Sequence, residues 1–151
     1  PEGEPVNTAD HLPELLDGIG VSLAYFGVGA LVLAVGFVVL DVLTPGRLRQ
    51  HIFIDHRPNA AALHAASSVA LAIIVVTVMT NASDDLLWGI VDVVVYGLLG
   101  VVFQAVTLVI LELVVPGRFR DLVSAPTFST ASLAVAATLI AVGAVNAAAI
   151  A

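Results

Sequence analysis

Cysteine and lysine are both missing from this chain. Without cysteine there is no disulfide and no thiolate metal site, and the redox compartment leaves no trace. Without lysine, the only permanently cationic side chains are five arginines. Charge of either sign is scarce. Charged residues make up 11% of the sequence, where a soluble globular domain carries about a quarter. Aromatic side chains are few, with one Trp and two Tyr. No Gly-rich phosphate loop, basic nucleic-acid patch, Ser-His-Asp set or metalloprotease motif is present, so nucleic acid is not expected as a partner. Catalysis needs convergent titratable groups, and their scarcity speaks against an enzyme, a cofactor or a bound metal.

What is present is apolar. Hydrophobic residues reach 60% over 151 residues, and the mean hydropathy is +1.08. A water-soluble fold of one-domain size has no interior large enough for that content. Four uninterrupted apolar runs carry it, at residues 19–40, 60–80, 87–111 and 128–150. At about 1.5 Å per residue each run reaches on the order of 30 Å, the thickness of a bilayer core. Lipid admits helices or closed barrels, and unbroken runs without strict alternation select helices. The expected fold is therefore an all-α integral membrane four-helix bundle. Its helices are expected at about 19–43, 60–80, 87–114 and 128–150, after an acidic segment at 1–17. The sequence begins at Pro1 rather than Met, so a segment is expected upstream.

The arginines set an orientation. Arg47, Arg49 and Arg57 lie between the first and second runs, and Arg118 and Arg120 between the third and fourth. The remaining connection, Asn81 to Asp85, has two acids and no base. The positive-inside rule puts both arginine loops in the cytoplasm. Both termini then face outward across the cell membrane. Arginines at that level also suit anionic lipid.

The chain also repeats itself. LDVLTPGRLR, starting at Leu40, matches LELVVPGRFR, which starts 71 residues later at Leu111. Each copy closes a helix with an acid followed by Pro-Gly-Arg-x-Arg, since Pro cannot continue the hydrogen-bond ladder and Gly accepts left-handed geometry. Two helices per copy keep the copies parallel. Repeat 1 spans 18–80 and repeat 2 spans 86–151, with a pseudo-two-fold expected along the membrane normal.

Small residues at helical spacing suggest packing faces. They are Ala134, Ala137, Ala141, Ala144 and Ala148 in the fourth run, and Ala61, Ala65, Ser68 and Ala72 in the second. Gly20, Ala24 and Gly27 form a similar series in the first, as do Gly89, Val93, Gly97 and Gly100 in the third.

Several segments resemble one family. They are Ala24-Tyr25-Phe26, Thr44-Pro45, Asn59-Ala60-Ala61-Ala62-Leu63, Trp88-Gly89, Gln104 and Gly143-x-x-Asn146-Ala147-Ala148. On these the chain resembles the YjfL-type bacterial and archaeal membrane proteins, a family of unknown function with tandem two-helix repeats. Ser129-Thr130-Ala131-Ser132 departs from the Asn-x-Ala-Ala pattern that the first copy leads one to expect. The resemblance implies a link to membrane stress and names no catalytic residue.

Few residues are left to carry chemistry. Asp41 and Glu112 are repeat-equivalent acids at helix ends, with Arg47, Arg49, Arg118 and Arg120 as the nearest partners. The intramembrane polar candidates are Gln104, Asp92, Thr107 and Asn146. Such residues usually face a bundle interior or a water path. Gln104 and Thr107 fall on the Gly97–Gly100 face, and Asn146 is expected at the level of Asp92. His51, Asp55 and His56, with His64 nearby, have spacing that a zinc ion accepts, although a headgroup-level loop is the simpler expectation. Asn81-Ala82-Ser83 matches a glycosylation triplet lying too close to the membrane for use.

Three functions remain open. The first is a non-enzymatic membrane protein that self-associates or joins another membrane protein. The second is an ion or small-solute channel or transporter. The third is a membrane-stress partner docking a soluble protein on the arginine loops.

Overall fold

The computed structural model describes residues 8–43, 48–114 and 119–151. Among the described residues six helices run in order: α1 (Thr8–Leu43), α2 (Leu48–Phe53), α3 (Pro58–Asn81), α4 (Leu86–Val114), α5 (Phe119–Ser124) and α6 (Thr130–Ile150). There is no strand among the described residues. Four of the helices, α1, α3, α4 and α6, are long and apolar enough to cross a membrane.

α1 begins at Thr8, well before the expected start at residue 19, and takes in part of the acidic segment. Its 36 residues give a rod of roughly 54 Å, more than a bilayer core needs. Six-residue helices α2 and α5 fill the arginine-loop connections, and α5 starts 71 residues after α2, the same spacing as the matched segments. α5 buries Phe119 and Val123 beneath the bundle.

Specific contacts fix the directions of the long helices. Tyr25 lies over Gly89, Val32 against Gly97 and Val101 against Gly36, so α1 and α4 run parallel. Asn59 bonds to Ser132, and Ala70 lies on Gly143, so α3 and α6 run parallel. Met79 and Val75 cover Gly29 while Leu71 covers Gly36, so α1 and α3 are antiparallel.

α3 packs most extensively on α6 and also touches α4 and α1. α4 touches all three other long helices, whereas α1 and α6 have at most marginal contact. The cross-section is a rhombus with α3 and α4 across its short diagonal. This arrangement departs from the expected pseudo-two-fold. A two-fold exchanging α1 with α4 and α3 with α6 requires α1 to pack on α6 as α4 packs on α3, and it does not. The second helix pair is instead set beside the first by a sideways step in the same orientation.

Buried faces also differ from the small-residue series. Only the α4 series, Gly89, Val93, Gly97 and Gly100, is buried as expected. α6 buries Ser132, Val135, Ala136, Leu139, Gly143, Asn146 and Ala147, and all five alanines of its expected stripe are exposed. In α3, Ala61 and Ala65 are exposed and Ser68 and Ala72 half-buried, while Ala60, Leu63, Ala66 and Ala70 go inside. Gly20 and Gly27 of α1 face open space. In lipid both sides of a helix are apolar, so amphipathicity does not mark the inner face as it does in water.

Candidate functional site

Polar side chains occupy three levels of the bundle. At the arginine-loop end the principal group is Asn59, in the first turn of α3 and fully buried. Pro58 opens that helix, where its missing N–H is harmless. The Asn59 side chain then reaches the connection before α6. Its Nδ2 donates to the carbonyls of Thr127 at 2.8 Å and Ala125 at 3.3 Å. Its Oδ1 accepts from the Ser129 N–H at 2.8 Å and the Ser132 hydroxyl at 2.9 Å. Both amide donors and the oxygen are used, which is the full capacity of the group. Ser129 in turn caps α6, its Oγ accepting from the Ala131 N–H. The replacement of the second-copy Asn by this Ser-Thr-Ala-Ser segment thus has a physical meaning: it supplies two of the four partners of Asn59, the Ser129 N–H and the Ser132 hydroxyl.

The middle level holds Gln104 and Asn146, 1% and 8% exposed. Ile74 packs on Gly100, and Ala70 packs on Gly143. One turn past Gly100, Gln104 lies at the level of Ala70 and Gly143, and Asn146 lies about one turn, roughly 5 Å, from that level. Asn146 is therefore nearer in height to Gln104 than to Asp92, where it was expected. Gln104 Nε2 and Asn146 Nδ2 are buried without a hydrogen-bond partner. Thr107 is half-buried and turns its hydroxyl onto the Phe103 carbonyl of its own helix, at 2.8 Å.

At the α3–α4 hairpin end, half-buried Asp92 folds back over the turn. Its Oδ2 accepts from the Ser83 hydroxyl at 2.9 Å and the Ser83 N–H at 3.2 Å. Asp85 caps α4 by accepting from the N–H groups of Leu87 and Trp88. Beside Asp92 lies a cleft of about 280 Å³, lined also by Asn81, Tyr96, Val78 and the α6 terminus. Asn81 of the glycosylation triplet donates to the Thr77 carbonyl.

The helix-end acids are not equivalent in their surroundings. Asp41 is half-buried and close enough to His64 to act on it electrostatically, whereas Glu112 is exposed. The expected partners Arg47 and Arg118, and the side chains of Arg49 and Arg120, lie outside the described residues. Arg57 stands at the N-cap of α3, its N–H donating to the His51 carbonyl and its Nε buried without a partner. His51 pairs with Asp55 at 3.1 Å. His56 adopts a left-handed φ of 50° in the turn that follows. His64 packs edge-on against Phe37, ring centroids 4.8 Å apart. Among the described residues no three His, Asp or Glu side chains converge to hold a metal.

These features define a multi-pass helical membrane protein in which the buried Asn59 amide ties α3 to the start of α6. Residues 14–150 match the family model described as Domain of Unknown Function (DUF350), and the chain belongs to that family. It is 44% identical over 145 residues to a UPF0719 transmembrane protein of Mycolicibacterium paratuberculosis, covering 96% of this chain and 95% of the relative. It is 47% identical over 139 residues to a UPF0719 transmembrane protein of Mycobacterium bovis, covering 92% and 91% of the two chains. No solved structure gives a significant match.

Proposed function

We propose that this chain is a non-enzymatic membrane protein that works as a homo-oligomer or as a subunit of a larger membrane assembly. The observation that carries this reading is the exposure of Ala134, Ala137, Ala141, Ala144 and Ala148 on one face of α6. Helix association in lipid is driven by close backbone approach over small residues, and this face is available for it. Its internal two-helix duplication and its likeness to the YjfL-type proteins belong to the same proposal, as does the orientation with both arginine loops cytoplasmic. The test is the native mass of the purified protein in lipid nanodiscs. More than one chain per particle, or a co-purifying membrane partner, is the expected result; a single chain with no partner overturns the reading.

A channel or transporter is the second reading, favoured by one observation. Gln104 and Asn146 place two unpartnered amide nitrogens inside the bundle at nearly one level. Buried polar groups in membranes often mark a solute path. Flux through proteoliposomes that changes in Gln104→Leu and Asn146→Leu supports it, and equal flux in all three proteins overturns it.

A further inference from the structure

The contact between the two halves of the chain leaves a complementary contact unused on its two outer sides. Because the halves are related by a sideways step, the surface of the first half that meets the second has a counterpart on the far side of the second. Shifting each inner contact by the 71-residue spacing locates that counterpart.

Ala70 of α3 packs on Gly143 of α6. The equivalent of Ala70 is Ala141, and the equivalent of Gly143 is Ala72. Ala141 is exposed and Ala72 half-exposed. The α3 residues Leu63, Ala66 and Ala70 are buried against the rest of the bundle, while their α6 equivalents Ala134, Ala137 and Ala141 are all exposed. Conversely, the α6 residues Ser132, Ala136 and Gly143 are buried, while their α3 equivalents Ala61, Ala65 and Ala72 lie at the surface. One of the α1–α4 contacts follows the same rule. Tyr25 of α1 covers Gly89 of α4, and the equivalents are Tyr96 and Gly18. Tyrosine and glycine are both retained, both are exposed, and Gly18 faces open space.

We infer that a second copy of this chain docks side by side in the same membrane orientation, its α1–α3 face on the α4–α6 face of the first. Ala141 of one copy then meets Ala72 of the next, and Tyr96 meets Gly18, as Ala70 meets Gly143 and Tyr25 meets Gly89 within the chain. What covers the α6 alanines is therefore given by the chain's own α3–α6 packing. The contact is head-to-tail, so it either closes into a ring or continues as a row. Not every contact is carried over. Phe103 and Phe26 stand where Val32 and Gly97 would be, Thr107 and Ala30 where Gly36 and Val101 would be, and Gly29, the counterpart of Gly100, is already covered by Met79. Thr130 stands where Asn59 would be and Ala61 where Ser132 would be, so the buried amide latch is confined to the junction within each chain. This inference rests on the oligomer reading above and adds which faces meet.

The absence of native cysteine makes the test direct. Differently tagged Ala141→Cys and Ala72→Cys chains are co-expressed in one membrane and oxidised. A disulfide dimer carrying both tags, with no dimer from either variant expressed alone, is the expected result. Ala141→Cys dimers forming alone as readily as mixed ones overturn the head-to-tail contact in favour of a two-fold one, and leave the oligomer reading standing. No dimer in any combination, with a native mass of several chains, overturns these faces but again leaves the oligomer. A native mass of one chain overturns both. As a second check, Ala141→Trp places a bulky ring on an exposed position and should reduce the native mass to one chain with unchanged helical circular dichroism. An unaltered oligomer overturns the inference.

Discussion

Asn59 is the residue on which the arginine-loop end of the bundle depends. A buried primary amide has two donors and an acceptor to satisfy, and here one side chain finds four partners spread over residues 125–132. Asn59→Ala leaves the Ser129 N–H without its acceptor and the Ala125 and Thr127 carbonyls without their donor, while the Ser132 hydroxyl keeps the Ser129 carbonyl at 2.6 Å. Loss of about 2 kcal/mol is expected, the scale of a buried polar group left unpaired, read as a lower thermal midpoint and faster hydrogen exchange at the start of α6. Asn59→Asp should be worse than Ala near neutral pH, because a carboxylate replaces the donating nitrogen opposite the Ala125 and Thr127 carbonyls. Gln104 is the opposite case. Its amide nitrogen has no partner to lose, so Gln104→Leu should be neutral or stabilising in thermal unfolding of the reconstituted protein; a clear loss of stability would show that a water or a neighbouring chain completes it. Asn59 was visible in the sequence as one residue of a resembling segment, yet nothing in its spacing reveals partners some 70 positions away. Gln104 was legible because a lone amide in a long apolar run stands out by itself.

At the scale of the elements, the four spans could be read directly from run length, because a bilayer demands about 20 apolar residues per helix. Their inner faces could not, with the exception of α4, where glycine rather than alanine marks the close approach. Alanine is abundant on every side of α3 and α6, and a 3-4 spacing can be drawn along more than one face. The start of α1 was missed because residues 8–18 are acidic, lack an apolar run and include Pro13 and Gly18, the poorest helix formers. Packing tightness now separates glycines that look alike in sequence. A Cβ on Gly143 would lie 2.5 Å from the Ala70 Cβ and 2.8 Å from its Cα, which belongs to another helix's backbone and cannot move alone. A Cβ on Gly29 would meet the terminal methyl of Met79 at 2.5 Å, the free end of a flexible side chain. Gly143→Ala should therefore destabilise by about 1–3 kcal/mol, the usual range for overpacking, and Gly29→Ala by clearly less. Parallel thermal melts of the two variants in the same lipid decide it; equal losses would contradict the close α3–α6 contact.

For the whole molecule, charge placement and topology meet at the two ends. Five arginines occupy the α1–α3 and α4–α6 connections, while the α3–α4 turn contains Asp84 and Asp85 and no base. At that turn Asp92 holds Ser83 and Asp85 caps α4. Because α1 and α4 are parallel and α3 and α6 are parallel, both arginine connections lie at one end, and a single orientation satisfies both. The positive-inside rule then predicts which face of the membrane each end meets. Asp84→Cys and His56→Cys, both exposed positions, read this out in a chain that has no other thiol. A membrane-impermeant maleimide added to intact cells should label Asp84→Cys and leave His56→Cys untouched until the membrane is opened. The reverse pattern would invert the orientation. Equal labelling of both in intact cells would mean a mixed population, in which the parallel head-to-tail contact joins only copies of one orientation to each other, so cross-linked dimers should pair like-oriented chains alone.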